Sequence, residues 1–147
     1  MAQFFAWEDR YSVGIASIDR HHKVLVDYIN QLAGALGSAE QASRVQGLLV
    51  ALRTYTKMHF NFEEALFRQY GYEERDAHQT YHANLVRKVD DFAQRVVAGD
   101  PQVAQELLEF LKQWLNHHIL HEDMAYAEFL RAKMNEDRRA PRAIARV

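Results

Sequence analysis

Two pairs of metal-binding side chains at helical spacing constrain this chain more than any other feature. The stretch HFNFEEALFRQYGYEERDAHQTYH, residues 59–82, holds His59 with Glu63 and His78 with His82, on either side of a tight connection at Gly71. Residues four apart lie on one side of an α-helix, so each pair aims two donor atoms at one point. A single pair carries little weight. Two pairs on consecutive helices that double back on each other direct four donors into one interhelical space.

The rest of the chain repeats the helical pattern. His22, Leu25, Val26, Ile29, Leu32, Ala33 and Leu36 step by three and four from Asp19 to Gly37, with Asp19 expected to cap the first helix. After a turn at residues 38–43, the face of a long second helix reads Val45, Leu48, Leu49, Leu52, Tyr55, His59, Phe62, Glu63, Leu66, Phe67 and Tyr70, ending at Gly71. A third helix from about Glu73 to Ala98 presents His78, His82, Leu85, Val89, Phe92 and Val96. Pro101 suits the first turn of a fourth, along which Val103, Leu107, Phe110, Leu111, Trp114, Leu115, His118, Ala125 and Phe129 continue the pattern.

Short connections between such helices imply an all-α, up-down-up-down four-helix bundle over residues 19–134. Residues 1–18 carry aromatic and aliphatic side chains without helical periodicity, so an N-terminal arm packed across the helices is expected. Residues 135–147 form a basic tail with no apolar stripe, expected to be frayed or disordered.

Composition narrows the function. With 147 residues the chain is long enough to bury one core, and the hydrophobic fraction of 48% excludes a disordered chain. The absence of cysteine removes disulfides, thiolate ligands and thiol nucleophiles, so any metal is held by nitrogen and oxygen. A net charge of -2 leaves no clustered positive charge for nucleic acid. Neither a basic leader nor an apolar run of roughly 20 residues occurs, so a cytoplasmic protein with no membrane contact is expected.

Collected by helix, the inward polar residues are His22; His59 and Glu63; His78 and His82; and His118 with Asp123. A lone histidine on an apolar face is ordinarily a satisfied core residue. Seven polar groups are not disposed of that way, because each left unpaired costs on the order of 1–3 kcal/mol against a total stability of roughly 5–15 kcal/mol. Five imidazoles and two carboxylates also exceed the four to six donors of one transition-metal ion, which points to two metals bridged by the carboxylates. His21, His117 and His121 lie off the stripes or beside a better-placed neighbour and are read as non-ligands. His118 and Asp123 are five apart, about 140° around a regular helix, so a widened π-type turn is expected between them.

The segments VGIASIDRHH after Trp7, HFNFEE, YGYEERDAHQTYH and WLNHHILHED resemble the hemerythrin family over about residues 7–130. The resemblance implies a non-haem di-iron centre with a solvent-derived oxygen between the ions. One iron takes His78, His82 and His118, the other His22 and His59, and Glu63 and Asp123 bridge both. It further implies dioxygen as the partner of a monomeric oxygen carrier, storage or delivery protein, not an enzyme. Leu115 is expected to wall the oxygen pocket, with Ile119, Phe62 and Trp114 beside it. His21 stands where the family commonly has glutamine, and a titrating imidazole there predicts a pH dependence near neutrality.

Coordination arithmetic then leaves the two-histidine iron one donor short of six, and an open position on a metal is where an external ligand binds. The competing reading is a di-iron oxidase or peroxidase, or an oxygen-sensor module. Ferritin-like enzymes use four glutamates and paired Glu-x-x-His motifs, and no Glu-x-x-His occurs in this chain.

Overall fold

The structure, a computed structural model, describes residues 4–100 and 102–139. It is a four-helix bundle. Helix α1 spans Ala16–Ala35, α2 Gln41–Tyr70 and α3 Arg75–Val97. The fourth rod is built from α4 (Val103–His117), a π-helical turn (His118–Asp123) and α5 (Met124–Arg139). Helix α1 packs on α2 and α4, and α3 packs on α2 and α4, which is the up-down-up-down arrangement. No helix among the described residues is long and apolar enough to cross a membrane.

The turn between α2 and α3 follows from Gly71, whose φ of 71° is open to a residue without Cβ. The Gly71 and Tyr72 N–H groups both donate to the Phe67 carbonyl and close the helix end. Pro101 lies outside the described residues, as do residues 140–147 of the basic tail. The last helix continues to Arg139, five residues beyond the expected end of the bundle.

The first helix starts earlier than expected. Its first residue is Ala16, and Asp19 lies inside the first turn instead of capping it. The Asp19 carboxylate accepts from the Ser12 hydroxyl at 2.5 Å and the Val13 N–H at 2.8 Å, so it anchors the arm. Farther out, the arm is clamped to α1 by Asn30, which accepts from the Phe5 N–H (2.8 Å) and donates to the Phe5 carbonyl (2.9 Å). It reaches the fourth rod where the Tyr11 hydroxyl donates to Asn116 at 2.9 Å.

Two stripes need correction. On α2 the buried residues include Thr56 and Phe60, whereas Leu48, Tyr55, Phe62, Leu66 and Tyr70 are only partly covered. On the fourth rod Ala125 is exposed and Phe129 half-buried, and Tyr126, Ala127 and Leu130 are buried in their place. The physical reason is the π turn: it accommodates one extra residue, so the stripe beyond it slips by one position. Counted from His118, a regular period runs on through Ala125 and Phe129, and the widened turn moves it to Tyr126 and Leu130.

Two apolar clusters result. One contains Leu25, Ile29, Leu52, Phe60, Leu85, Leu111, Leu115 and Ile119; the other contains Val13, Ile18, Phe67, Tyr72, Tyr126 and Leu130. Polar side chains from all four rods fill the level between them.

Candidate metal centre

His22, His59, Glu63, His78, His82, His118 and Asp123 are brought together, and each is at most 4% exposed. Their donor atoms form two overlapping groups, each within 4.8 Å: His22, His59, Glu63, His118 and Asp123, and Glu63, His78, His82 and His118. His118 and Glu63 belong to both. The π turn does the local work, because it turns Asp123 to the side of His118 and brings Oδ1 to 3.0 Å from Nε2.

The two carboxylates sit between the halves in different ways. Asp123 offers Oδ2 to His22 at 2.7 Å and Oδ1 to His78 at 3.4 Å, so each oxygen faces one half. Glu63 places Oε1 3.3 Å from His59 and 3.2 Å from His82, while its Oε2 accepts from the Tyr126 hydroxyl. Among the described residues, the buried side-chain nitrogens and oxygens without an aligned hydrogen bond number ten, and all belong to these seven residues. Close approach without hydrogen-bond alignment is the pattern of donors that face a common cation. Without one, each would carry a desolvation cost of about 1–3 kcal/mol.

Protonation agrees with that chemistry. Burial pushes His59 down to about 3 and lowers His118, so both rings are neutral with a nitrogen lone pair free. Burial also opposes charge on Glu63 and Asp123, yet the surrounding imidazoles outweigh it, holding Glu63 at about 2 and Asp123 well below the usual carboxylate range. His22 is raised: burial acts to lower it, but the Asp123 carboxylate prevails. Burial and the two carboxylates push Tyr126 well above the ordinary phenol range, so its hydroxyl stays a donor.

Around these groups lie partners the sequence did not single out. Glu64 Oε2 accepts from His82 Nδ1 at 3.0 Å, and Phe60 stacks on the His82 ring at 3.6 Å and 4°. Glu64 is the second E of HFNFEE, and helical spacing alone does not reveal its partner on the next helix. Tyr126 was hidden by the phase slip. His21, read as a non-ligand, is half-buried and places Nδ1 2.9 Å from His59 Nδ1. With His59 Nε2 facing the cluster as a lone pair, its Nδ1–H donates and His21 accepts.

The four residues expected at an oxygen pocket divide. Leu115 and Ile119 are buried in the first cluster, with Trp114 against it and nearly parallel to His118 at 4.5 Å. Phe62 instead packs with the second cluster and lies 4.8 Å from His21. Leu115 and Trp114 also line a small, mainly apolar cavity of about 10 Å³ whose polar side chain is Thr56.

The family model described as Hemerythrin HHE cation binding domain matches residues 13–130. The chain belongs to the hemerythrin family. It is 36% identical over 130 residues to a bacteriohemerythrin of Pseudomonas aeruginosa, covering 88% of this chain and 84% of that relative. A bacteriohemerythrin of Stenotrophomonas maltophilia is 33% identical over the same shares. Among solved structures, wild-type hemerythrin superposes with a TM-score of 0.79 at 29% identity, covering 86% of this chain and 98% of that one.

Proposed function

We propose that this member of the hemerythrin family binds dioxygen reversibly at a non-haem di-iron centre. The observation that supports the reading most is the donor set itself: five buried imidazoles and two buried carboxylates gather in two overlapping groups that share Glu63 and His118. Eight of the ten orphaned buried atoms, the Nε2 of each of the five histidines, Glu63 Oε1 and both Asp123 oxygens, fit two iron ions. His78, His82 and His118 would hold one and His22 and His59 the other, with Glu63 and Asp123 shared. A pair of ferrous ions would supply the electrons that dioxygen takes up on binding and returns on release.

The chain's own residues do the rest. Glu64 and His21 fix the rings of His82 and His59 through their outer nitrogens, which selects the tautomer with Nε2 free to bind. Leu115 and Ile119, 1% and 0% exposed, keep water from the apolar end of the site. Two carboxylates among five imidazole ligands would leave the centre more positive than a four-carboxylate site, which opposes its permanent oxidation and favours a binding protein over a catalyst.

Iron analysis and the visible spectrum test this. Two irons per chain are expected, with a charge-transfer band that appears when the reduced protein meets oxygen and fades under vacuum. One iron per chain, or immediate conversion to a stable ferric form with turnover, would overturn it.

A further inference from the structure

The π turn pairs residues five apart, and it does so twice. On the inside it joins His118 to Asp123; on the outside it brings His117 Nε2 to 3.7 Å from Glu122 Oε1. On a regular helix that second pair would stand about 140° apart and would not meet. His121, four residues after His117, stands beside it, its ring centroid 4.6 Å from that of His117 with 31° between the planes, although the donor atoms of all three side chains do not lie within 4.8 Å of one another. His117 and Glu122 keep 55% and 37% of their side-chain surface exposed, so the group opens to solvent and is separate from the buried donors.

We propose that His117, His121 and Glu122 form a second metal site, which takes one divalent first-row transition cation at the protein surface. Two imidazoles and a carboxylate are the donor types that zinc and its neighbours accept, with solvent in the remaining position. Ligand bonds of about 2.1 Å at a tetrahedral angle put donor atoms roughly 3.4 Å apart. The His117–Glu122 separation of 3.7 Å already approaches that value. His121 has farther to move, and rotation of its exposed side chain about χ1 and χ2 would bring a ring nitrogen toward the other two. None of the three belongs to the buried donor groups, so filling the outer site does not compete for their ligands.

Zinc is the probe. Protein as purified, with its own buried metal, is titrated with zinc(II) by calorimetry, and zinc and iron per chain are counted after equilibrium dialysis. One zinc per chain is expected beyond the buried complement, with iron unchanged. His117→Ala with His121→Ala abolishes it, and Glu122→Gln, which preserves size, weakens it by about tenfold, equivalent to 1.4 kcal/mol. Circular dichroism and iron content of these surface variants match the parent. Absence of the extra zinc, its appearance only as iron is displaced, or its persistence with unchanged affinity in the double variant would overturn the proposal.

Discussion

His21 Nδ1 and His59 Nδ1 are 2.9 Å apart, so one imidazole serves as the hydrogen-bond acceptor of another that faces the metal centre. A protonated His21 has no acceptor nitrogen and breaks this bond. Burial holds His21 below its ordinary value of 6.5. The sequence expectation of titration near neutrality is therefore corrected: His21 is neutral there, and its transition lies on the acid side. Autoxidation of the oxygenated protein should be independent of His21 charge above about pH 6.5 and change as pH falls below it. His21→Gln, whose amide oxygen accepts at every pH, should remove that acid limb; stopped-flow or spectrophotometric pH profiles of the two proteins decide the matter.

Glu64 gives the His82 ring a charged acceptor. Glu64→Gln keeps an oxygen for Nδ1–H but removes the charge that makes the imidazole a stronger donor. Such outer partners are worth about 10- to 100-fold in metal affinity. Iron loss to a chelator should accelerate within that range while the helical circular dichroism of the loaded protein stays constant. Equal loss rates would make the Glu64 contact incidental.

Leu115 is 1% exposed and carries no polar atom that could bring water to the site. Leu115→Asn is close in size but admits a donor and an acceptor, so the oxygenated form should decay faster with iron content unchanged. If the half-life matches the parent, Ile119→Asn is the discriminating comparison, because Ile119 shares the same cluster.

In metal-free protein, stability should fall between pH 6.5 and about 4.5. His59, at about 3 in the folded chain, and His118, also lowered, contribute stability that is complete above the unfolded histidine value of about 6.5 and lost as pH falls toward their folded values. His22 and His78, raised, are charged in both states below about 6.5 and contribute no slope there. The depressed carboxylates Glu63 and Asp123 add their loss only below the ordinary carboxylate range. Urea unfolding at pH 6.5, 5.5 and 4.5 measures the slope, which His59→Gln should flatten.

The helices and the buried donor cluster were legible because apolar and ligand residues share one period on α1, α2 and α3. All six inner residues read on the third helix, from His78 to Val96, are buried. The widened turn was legible from the misfit between His118 and Asp123 alone, yet its effect downstream was not carried through. Ala125 and Phe129 were consequently placed where Tyr126 and Leu130 stand. Asp19, Glu64 and His21 illustrate a different limit. Their roles depend on which neighbour from another segment comes within 3 Å, and periodicity along one helix does not encode that distance.

The polar level between the two apolar clusters also shapes how the chain comes apart. Each cluster is a small core of its own, and the side chains that join them are groups which, without a cation, repel burial. A metal there would act as a rivet through all four rods. Removing it should divide one cooperative unit into two weakly coupled ones, so that protection of amide hydrogens around Leu107 and around Phe67, tied together in loaded protein, becomes independently variable.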